Sequence, residues 1–83
     1  MLVQYQVPLP VVYQEKILEL GFRIDVLVNN LVITEVKSVE NLLHVHHKQV
    51  ITYLKLSGKK LGILVNFNSS DIGSSIYRKV NNL

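Results

Sequence analysis

The sequence predicts an α/β domain in which one long helix packs on a mixed β-sheet. The chain has 83 residues, 48% hydrophobic and 18% charged, which suits a single small domain over residues 1–83. Its 13 Val and 7 Ile residues, with no Ala at all, favour strands over helices. Residues 42–57 are the one stretch that combines helical spacing with capping signals, so we expect one helix.

The first part of the chain predicts short strands. Residues 2–7 are predicted as a strand that ends at two prolines, because proline removes a ladder donor and fixes φ. Val11–Tyr13 is predicted as a short edge strand, and residues 14–16 as a polar turn. Gly21 indicates a bulge or a bend before the next strand.

A β-hairpin is predicted next. Residues 22–28 and 31–37 are both rich in β-branched aliphatic residues, and Asn29 and Asn30 separate them. Asparagine tolerates the positive φ that a type I′ turn requires at both central positions. We therefore expect the two strands to pair in antiparallel orientation.

The helix is predicted over residues 42–57. Residues 38–41 supply capping side chains and an acid suited to the helix dipole, and Gly58 is a good residue for the C-terminal cap. The predicted apolar stripe consists of Leu43, Val50 and Leu54.

A buried strand is predicted after the helix, over residues 61–67. A strand, a helix and a strand of these lengths imply a right-handed crossover and a parallel strand pair. Residues 68–75 are predicted as a polar loop, and Ile76–Val80 as a last strand.

Composition excludes several classes of protein. The absence of cysteine removes disulfides, iron–sulfur clusters and thiolate zinc sites. No apolar run approaches the roughly 20 residues of a membrane span, and the N-terminus does not have the pattern of a signal peptide. We therefore expect a cytoplasmic protein without membrane contact. A net charge of +3 is compatible with a polyanionic partner without requiring one.

Three charged residues interrupt the apolar strands of the hairpin. Glu35 and Lys37 lie two residues apart and so point to the same face of their strand. A two-residue turn at Asn29 and Asn30 would pair residues whose numbers sum to 59, which places Asp25 opposite Thr34 and beside Glu35. The turn position thus predicts two neighbouring carboxylates and a lysine, and a shift of register would preserve that proximity.

Two carboxylates in a partly buried site repel each other, which raises the pKa of at least one of them and favours a hard divalent cation. Mg²⁺ suits such a site, because it takes few protein carboxylates and completes its shell with water and phosphate oxygens. The adjacent lysine can position a metal-bound water. The alternative is that Glu35 and Lys37 are ordinary strand charges that pair with their neighbours.

The predicted helix carries two further sets of polar residues. His46, Gln49 and Tyr53 share one face, where they could hold water or phosphate or simply form an amphipathic boundary. His44, His46 and His47 do not converge as zinc ligands and are predicted to lie on a solvated face. Four lysines could follow a phosphate backbone or complement the helix dipole: Lys48, Lys55, Lys59 and Lys60.

The order of these residues carries a family resemblance. Asp25, then Glu35-Val36-Lys37, then Gln49-x-x-x-Tyr53 on the following helix resembles the PD-(D/E)XK nuclease superfamily. The neighbouring motifs are similar to those of the small bacterial proteins called the GxxExxY family. These motifs are Lys37-Ser38-Val39-Glu40, His46-x-x-Gln49, residues 53–58 and residues 61–68.

The resemblance implies a restriction-endonuclease-like core that hydrolyses phosphodiester bonds of nucleic acid with Mg²⁺ or Mn²⁺, with DNA favoured over RNA. Asp25, Glu35 and the Val36 carbonyl would bind the metal, Lys37 would serve the water, and Gln49 and Tyr53 would support the site.

The chain begins after the point where the family's Gly-x-x-Glu-x-x-Tyr helix would end. We therefore expect a core truncated at its N-terminus, with one sheet face partly bare and available for homodimerisation. The alternative function is a catalytically inactive binding or assembly module that retains the nuclease fold.

Overall fold

The computed structural model describes residues 1–67 and 75–81. Within them the chain forms a five-stranded sheet, a separate two-stranded hairpin and one helix. The elements in chain order are β1 Val3–Pro8, β2 Val11–Tyr13, β3 Lys16–Leu18, β4 Arg23–Val28, β5 Val32–Lys37, α1 His44–Ser57, β6 Leu61–Asn66 and β7 Ile76–Val80. The predicted loop over residues 68–75 lies outside the described residues except for Ser75.

The sheet is mixed, as predicted. Its strand order is β1-β4-β5-β6-β7, and only β5 and β6 among these neighbours run parallel. The helix α1 makes the crossover between β5 and β6, because parallel neighbours cannot be joined by a tight turn. The α/β class with one long helix on a mixed sheet is therefore confirmed. α1 spans 14 residues, and the described part of the chain contains no helix suited to crossing a membrane.

The hairpin between β4 and β5 has a different register from the predicted one. Val28 pairs with Val32, and Leu27 with Ile33, so the paired numbers sum to 60 and the loop has three residues. Asn29 and Asn30 do adopt positive φ, at 51° and 57°. This register sets Leu27 directly opposite Ile33, and both are buried. The shift by one residue aligns Asp25 with Glu35 rather than with Thr34.

The helix begins two residues later than predicted and uses a different cap. Leu43 is the N-cap residue, and its backbone N–H donates to Nδ1 of His46 at 2.9 Å. The predicted caps at residues 38–41 are wrong, because the helix starts beyond their reach. Gly58 ends the helix with φ 74° and donates to the Leu54 carbonyl, as predicted.

The buried face of α1 also differs from prediction at one position. Val50 and Leu54 are fully buried, whereas Leu43 is 59% exposed and Tyr53 takes its place in the core. Gly62 of β6 lies directly under the helix: a Cβ there would come within 2.6 Å of Cγ1 of Val50. The absence of a side chain at Gly62 thus permits the close approach of helix and sheet.

The sheet has one covered face and one bare face. Side chains that lie opposite each other in the ladder share a face, so the register identifies the surface turned away from α1. None of its residues is buried, and eleven of the thirteen are apolar. We call this surface the open face; it consists of Val3, Tyr5, Val26, Val28, Val32, Thr34, Val36, Leu61, Ile63, Val65, Ile76, Arg78 and Val80. The described residues therefore leave one sheet face partly bare, as predicted.

Candidate active site

The carboxylates of Asp25 and Glu35 lie together where β4 and β5 separate. The antiparallel ladder between the strands reaches Val26 and Thr34. Beyond it, the Asp25 N–H donates to Oε1 of Glu35 at 3.3 Å, and the Val36 N–H donates to Oδ2 of Asp25 at 3.0 Å. Each carboxylate therefore accepts a backbone hydrogen bond from the opposite strand, in place of the next ladder bonds. The predicted proximity is present.

Asp25 is also contacted from β1, which sequence analysis did not identify. Gln6 lies opposite Asp25 between two regular pairs of the β1–β4 ladder, and its φ is 52°. Its side-chain Nε2 donates to Oδ1 of Asp25 at 3.4 Å. The two oxygens of Asp25 thus have different donors, which fixes the carboxylate plane. Gln6 is remote in sequence, so only the strand order reveals it.

Glu35 is the buried member of the pair. Its side chain is 1% exposed and faces α1, since it shares a face with Ile33. Burial and, after it, the nearby charge of Asp25 raise the pKa of Glu35 to about 7, although the charge of Lys37 acts to lower it. The predicted rise of one carboxylate pKa is present, with desolvation as its largest cause.

Lys37 lies on the same face as Glu35, one pleat further along β5. Its charge acts on Glu35, but no hydrogen bond joins Lys37 to either carboxylate in residues 1–67 and 75–81. The Lys37 carbonyl accepts the Phe67 N–H at 2.9 Å, which ties this end of β5 to the end of β6. The lysine side chain is therefore near the carboxylates and unattached to them.

Asn66 holds the segment that leaves β5, and sequence analysis did not identify this residue either. It is 5% exposed and pairs with Lys37 in the parallel ladder. Its Oδ1 accepts the Val39 N–H at 3.1 Å, and its Nδ2 donates to the Val39 carbonyl at 2.9 Å. An asparagine at the end of a buried strand is the sequence signal that could have found it. Asn66 thus fixes the backbone just after the Glu-x-Lys motif.

Gln49 and Tyr53 form a pair on α1, one turn apart. Nε2 of Gln49 donates to the Tyr53 hydroxyl at 3.3 Å, and the Tyr53 ring lies 5.7 Å from the ring of Phe22. Together with Val45, Lys48 and Thr52 these residues line a groove of about 350 Å³. No hydrogen bond joins Gln49 or Tyr53 to the carboxylates among the described residues, so their supporting role stays a prediction.

Two of the three histidines of α1 make structural contacts. His46 accepts the N-cap hydrogen bond from Leu43, and no group of three or more His, Cys, Asp or Glu residues that could hold a metal occurs among residues 1–67 and 75–81. The prediction of a fully solvated face is wrong for His47. Its ring packs edge-on against Tyr77 with centroids 5.0 Å apart, because β7 lies beside the helix.

The donor set at the carboxylates fits a hard divalent cation. Asp25, Glu35 and the Val36 carbonyl offer only oxygen ligands, which Mg²⁺ and Mn²⁺ accept. The raised pKa of Glu35 shows that its negative charge is disfavoured where it lies. A cation would offset both the desolvation and the repulsion from Asp25.

The fold and the site define an α/β protein with an acidic pair and a lysine on two adjacent central strands. The family model for the PD-(D/E)XK nuclease superfamily matches residues 1–79. The chain therefore belongs to the PD-(D/E)XK nuclease superfamily, whose nucleases generally depend on a divalent metal. Comparisons with curated proteins and with solved structures found no match.

Proposed function

We propose that this chain is a Mg²⁺-dependent nuclease core that hydrolyses phosphodiester bonds of nucleic acid. The observation that carries the proposal is the carboxylate pair: Asp25 and Glu35 each accept a backbone hydrogen bond from the opposite strand, with Lys37 one pleat away. Membership of a nuclease superfamily supports the same conclusion. Mn²⁺ would substitute for Mg²⁺, since both accept oxygen ligands.

Each residue has a defined task in this mechanism. Asp25, Glu35 and the Val36 carbonyl would hold the cation, which supplies an activated water and polarises the phosphate when bound. The hydrogen bond from Gln6 and that from the Val36 N–H keep Asp25 in place. Lys37 would orient the attacking water and offset the charge that develops on the phosphate.

The finer assignments are also proposals. The ordered motifs of the sequence support the GxxExxY family, with residues 1–83 as one catalytic core and DNA as the favoured substrate. The hydrogen-bonded pair of Gln49 and Tyr53 would bind a substrate phosphate or water beside the metal site. We place this activity in the cytoplasm, in keeping with a sequence that contains no cysteine for disulfides.

A cleavage assay tests the proposal directly. The full chain would be incubated with labelled single- and double-stranded DNA and RNA in Mg²⁺, in Mn²⁺ and in EDTA. We expect metal-dependent cleavage that Asp25→Asn, Glu35→Gln and Lys37→Ala each lower by about two orders of magnitude or more. Glu15→Gln is the matched control, since Glu15 is an exposed acid in the turn between β2 and β3. An absence of cleavage by the unaltered chain with both metals would overturn the enzyme proposal.

The open face supports a second candidate, an assembly module that forms a homodimer. Five strands spaced about 4.8 Å apart present a flat area of roughly 400 Å². The accessible area is larger, because the side chains stand out from the sheet. Two copies packed face to face would bury roughly 800 Å² of flat area, and more with the relief of the side chains, which corresponds to a small interface. Arg78 is the one charged residue among the thirteen. Two copies of the open face would therefore bring mainly apolar side chains together. Sedimentation velocity of the full chain tests this candidate.

A further inference from the structure

A second groove runs between the outer side of α1 and strand β7. It has a volume of about 390 Å³, and no acidic residue lines it among residues 1–67 and 75–81. We call it the basic groove; it is lined by His44, His47, Lys48, Ile51, Thr52, Lys55 and Lys79. Three of the nine Lys and Arg residues of the chain line it.

Two elements bring these cations together. Lys48 and Lys55 lie seven residues apart on α1 and so project from one side of the helix. Lys79 pairs with Gly62 in the ladder, which places it on the side of the sheet that carries α1. The helix dipole explains why a cation lies in the last turn, at Lys55, but it does not explain Lys48 or Lys79.

Lys59, which lies just after the end of the helix, has a different role. Nζ of Lys59 donates to the Asn30 carbonyl at 2.9 Å and also to its side chain, which ties the segment after α1 to the β4–β5 turn. Lys59 is therefore structural. Of the four helix-end lysines singled out in the sequence, Lys48 and Lys55 face the basic groove, and Lys79 joins them from β7.

The side chains around His47 show that this groove is a positively charged environment. Nδ1 of His47 is buried without a hydrogen-bond partner among the described residues. Burial lowers the pKa of His47, and the charges of Lys79, His44 and His46 lower it further. Nζ of Lys79 lies 5.9 Å from the centre of the Tyr77 ring, on which His47 also packs. An anion in the groove would face three lysines and, in the described part of the chain, no carboxylate of the lining.

The basic groove adjoins the groove beside Gln49 and Tyr53. Lys48 and Thr52 line both. We propose that the basic groove binds the phosphodiester backbone of nucleic acid and leads the strand across α1 toward the carboxylate site. This inference rests on the proposed nuclease function. Lysine suits the task because it contacts phosphate as a point charge without reading the base sequence.

Binding of a fluorescent oligonucleotide tests the inference without requiring cleavage. The full chain carrying Asp25→Asn would be titrated, in EDTA and at several NaCl concentrations, against labelled single- and double-stranded DNA. Adding Lys48→Gln, Lys55→Gln and Lys79→Gln should weaken binding by about tenfold or more. It should also reduce the slope of log K against log salt by about 0.7–0.9 for each phosphate that the variant no longer neutralises.

A matched control removes the same charge elsewhere. Lys16→Gln, Lys60→Gln and Arg78→Gln lie outside the basic groove and should change affinity much less. Equal decreases in affinity in the two triple variants would overturn the inference, because binding would then depend on net charge alone. Circular dichroism melts of both variants would show that each is folded under the binding conditions.

The inference and the proposed function fail in different ways. If the unaltered chain cleaves nucleic acid and the groove variant binds as tightly as the control, the groove is not the binding surface and the nuclease function stands. If the groove variant alone loses binding while no metal supports cleavage, the nuclease proposal fails and the groove remains a nucleic-acid site.

Discussion

Asp25 and Glu35 are joined through the backbone: the N–H of Asp25 donates to Oε1 of Glu35, while Oδ2 of Asp25 accepts the N–H of Val36. Two acids on neighbouring strands would normally separate because of their charge. Here the hydrogen bonds of the opened hairpin hold them together, and burial raises the pKa of Glu35 to about 7. A bound cation would offset the cost of this arrangement.

The stability of the metal-free protein should fall as pH rises from about 5 to about 8. The pKa of Glu35 is about 7 in the folded protein and near its ordinary value of 4.5 in the unfolded chain. Between these values the folded state binds more protons, so the free energy of unfolding decreases with pH, by about 3 kcal/mol in all. Thermal melts in EDTA measure the effect. In Glu35→Gln the decrease in stability with pH should largely disappear. If that variant kept the pH profile of the unaltered chain, the decrease could not be assigned to Glu35.

Mg²⁺ or Mn²⁺ should raise the melting temperature by binding the folded state alone. At a metal concentration ten times the Kd, linkage adds about 1.4 kcal/mol, which for a domain of this size is a shift of several degrees. Asp25→Asn should abolish the shift and leave the fold intact, since an amide oxygen can still accept the Val36 N–H. Glu15→Gln is the control. A full metal response in Asp25→Asn would remove Asp25 from the ligand set.

Lys37→Ala should separate metal binding from catalysis. The lysine is not bonded to either carboxylate, so its removal should preserve the thermal shift with metal while cleavage falls by about two orders of magnitude or more. Cleavage rates and melts measured on one preparation give both quantities. Retention of full cleavage in Lys37→Ala would show that the lysine does not serve the water.

Gly62→Ala should destabilise the domain by about 1–3 kcal/mol, because the added Cβ would overlap Cγ1 of Val50. Urea unfolding measures the decrease in stability. Val50→Ala removes the opposing atom, so the double variant should be more stable than the sum of the two single effects. Strictly additive effects would mean that the helix moves away from the sheet rather than clashing with it.

Ile63→Lys should shift the chain toward a monomer in sedimentation velocity if the open face joins two copies. Ile63 lies in β6 with Thr34 on one side and Arg78 on the other, near the middle of that face. Tyr13→Lys is the matched control, since Tyr13 is exposed on the separate β2–β3 hairpin. A monomeric unaltered chain, or equal behaviour of both variants, would exclude this dimer.

Local chemistry determined many of the elements. The paired asparagines place the hairpin turn, Gly58 ends the helix, and Ile76–Val80 is a strand over the predicted residues. The strand–helix–strand order was sufficient to predict the parallel pair, because a short chain has few ways to connect such strands. The nearness of Asp25 and Glu35 followed from the hairpin and did not depend on its detailed register.

The tertiary structure decided what depends on packing between distant segments. The pairing of buried Leu27 with buried Ile33 fixed the hairpin register, and this aligned Asp25 with Glu35. The donor from Gln6 and the burial of Glu35 arise only when β1 and α1 reach the hairpin. By itself the sequence determined which residues bear the chemistry, because charge and periodicity are local properties. Their hydrogen bonds, their protonation and the groove that joins α1 to β7 required the folded chain, because desolvation and charge repulsion depend on what surrounds each group.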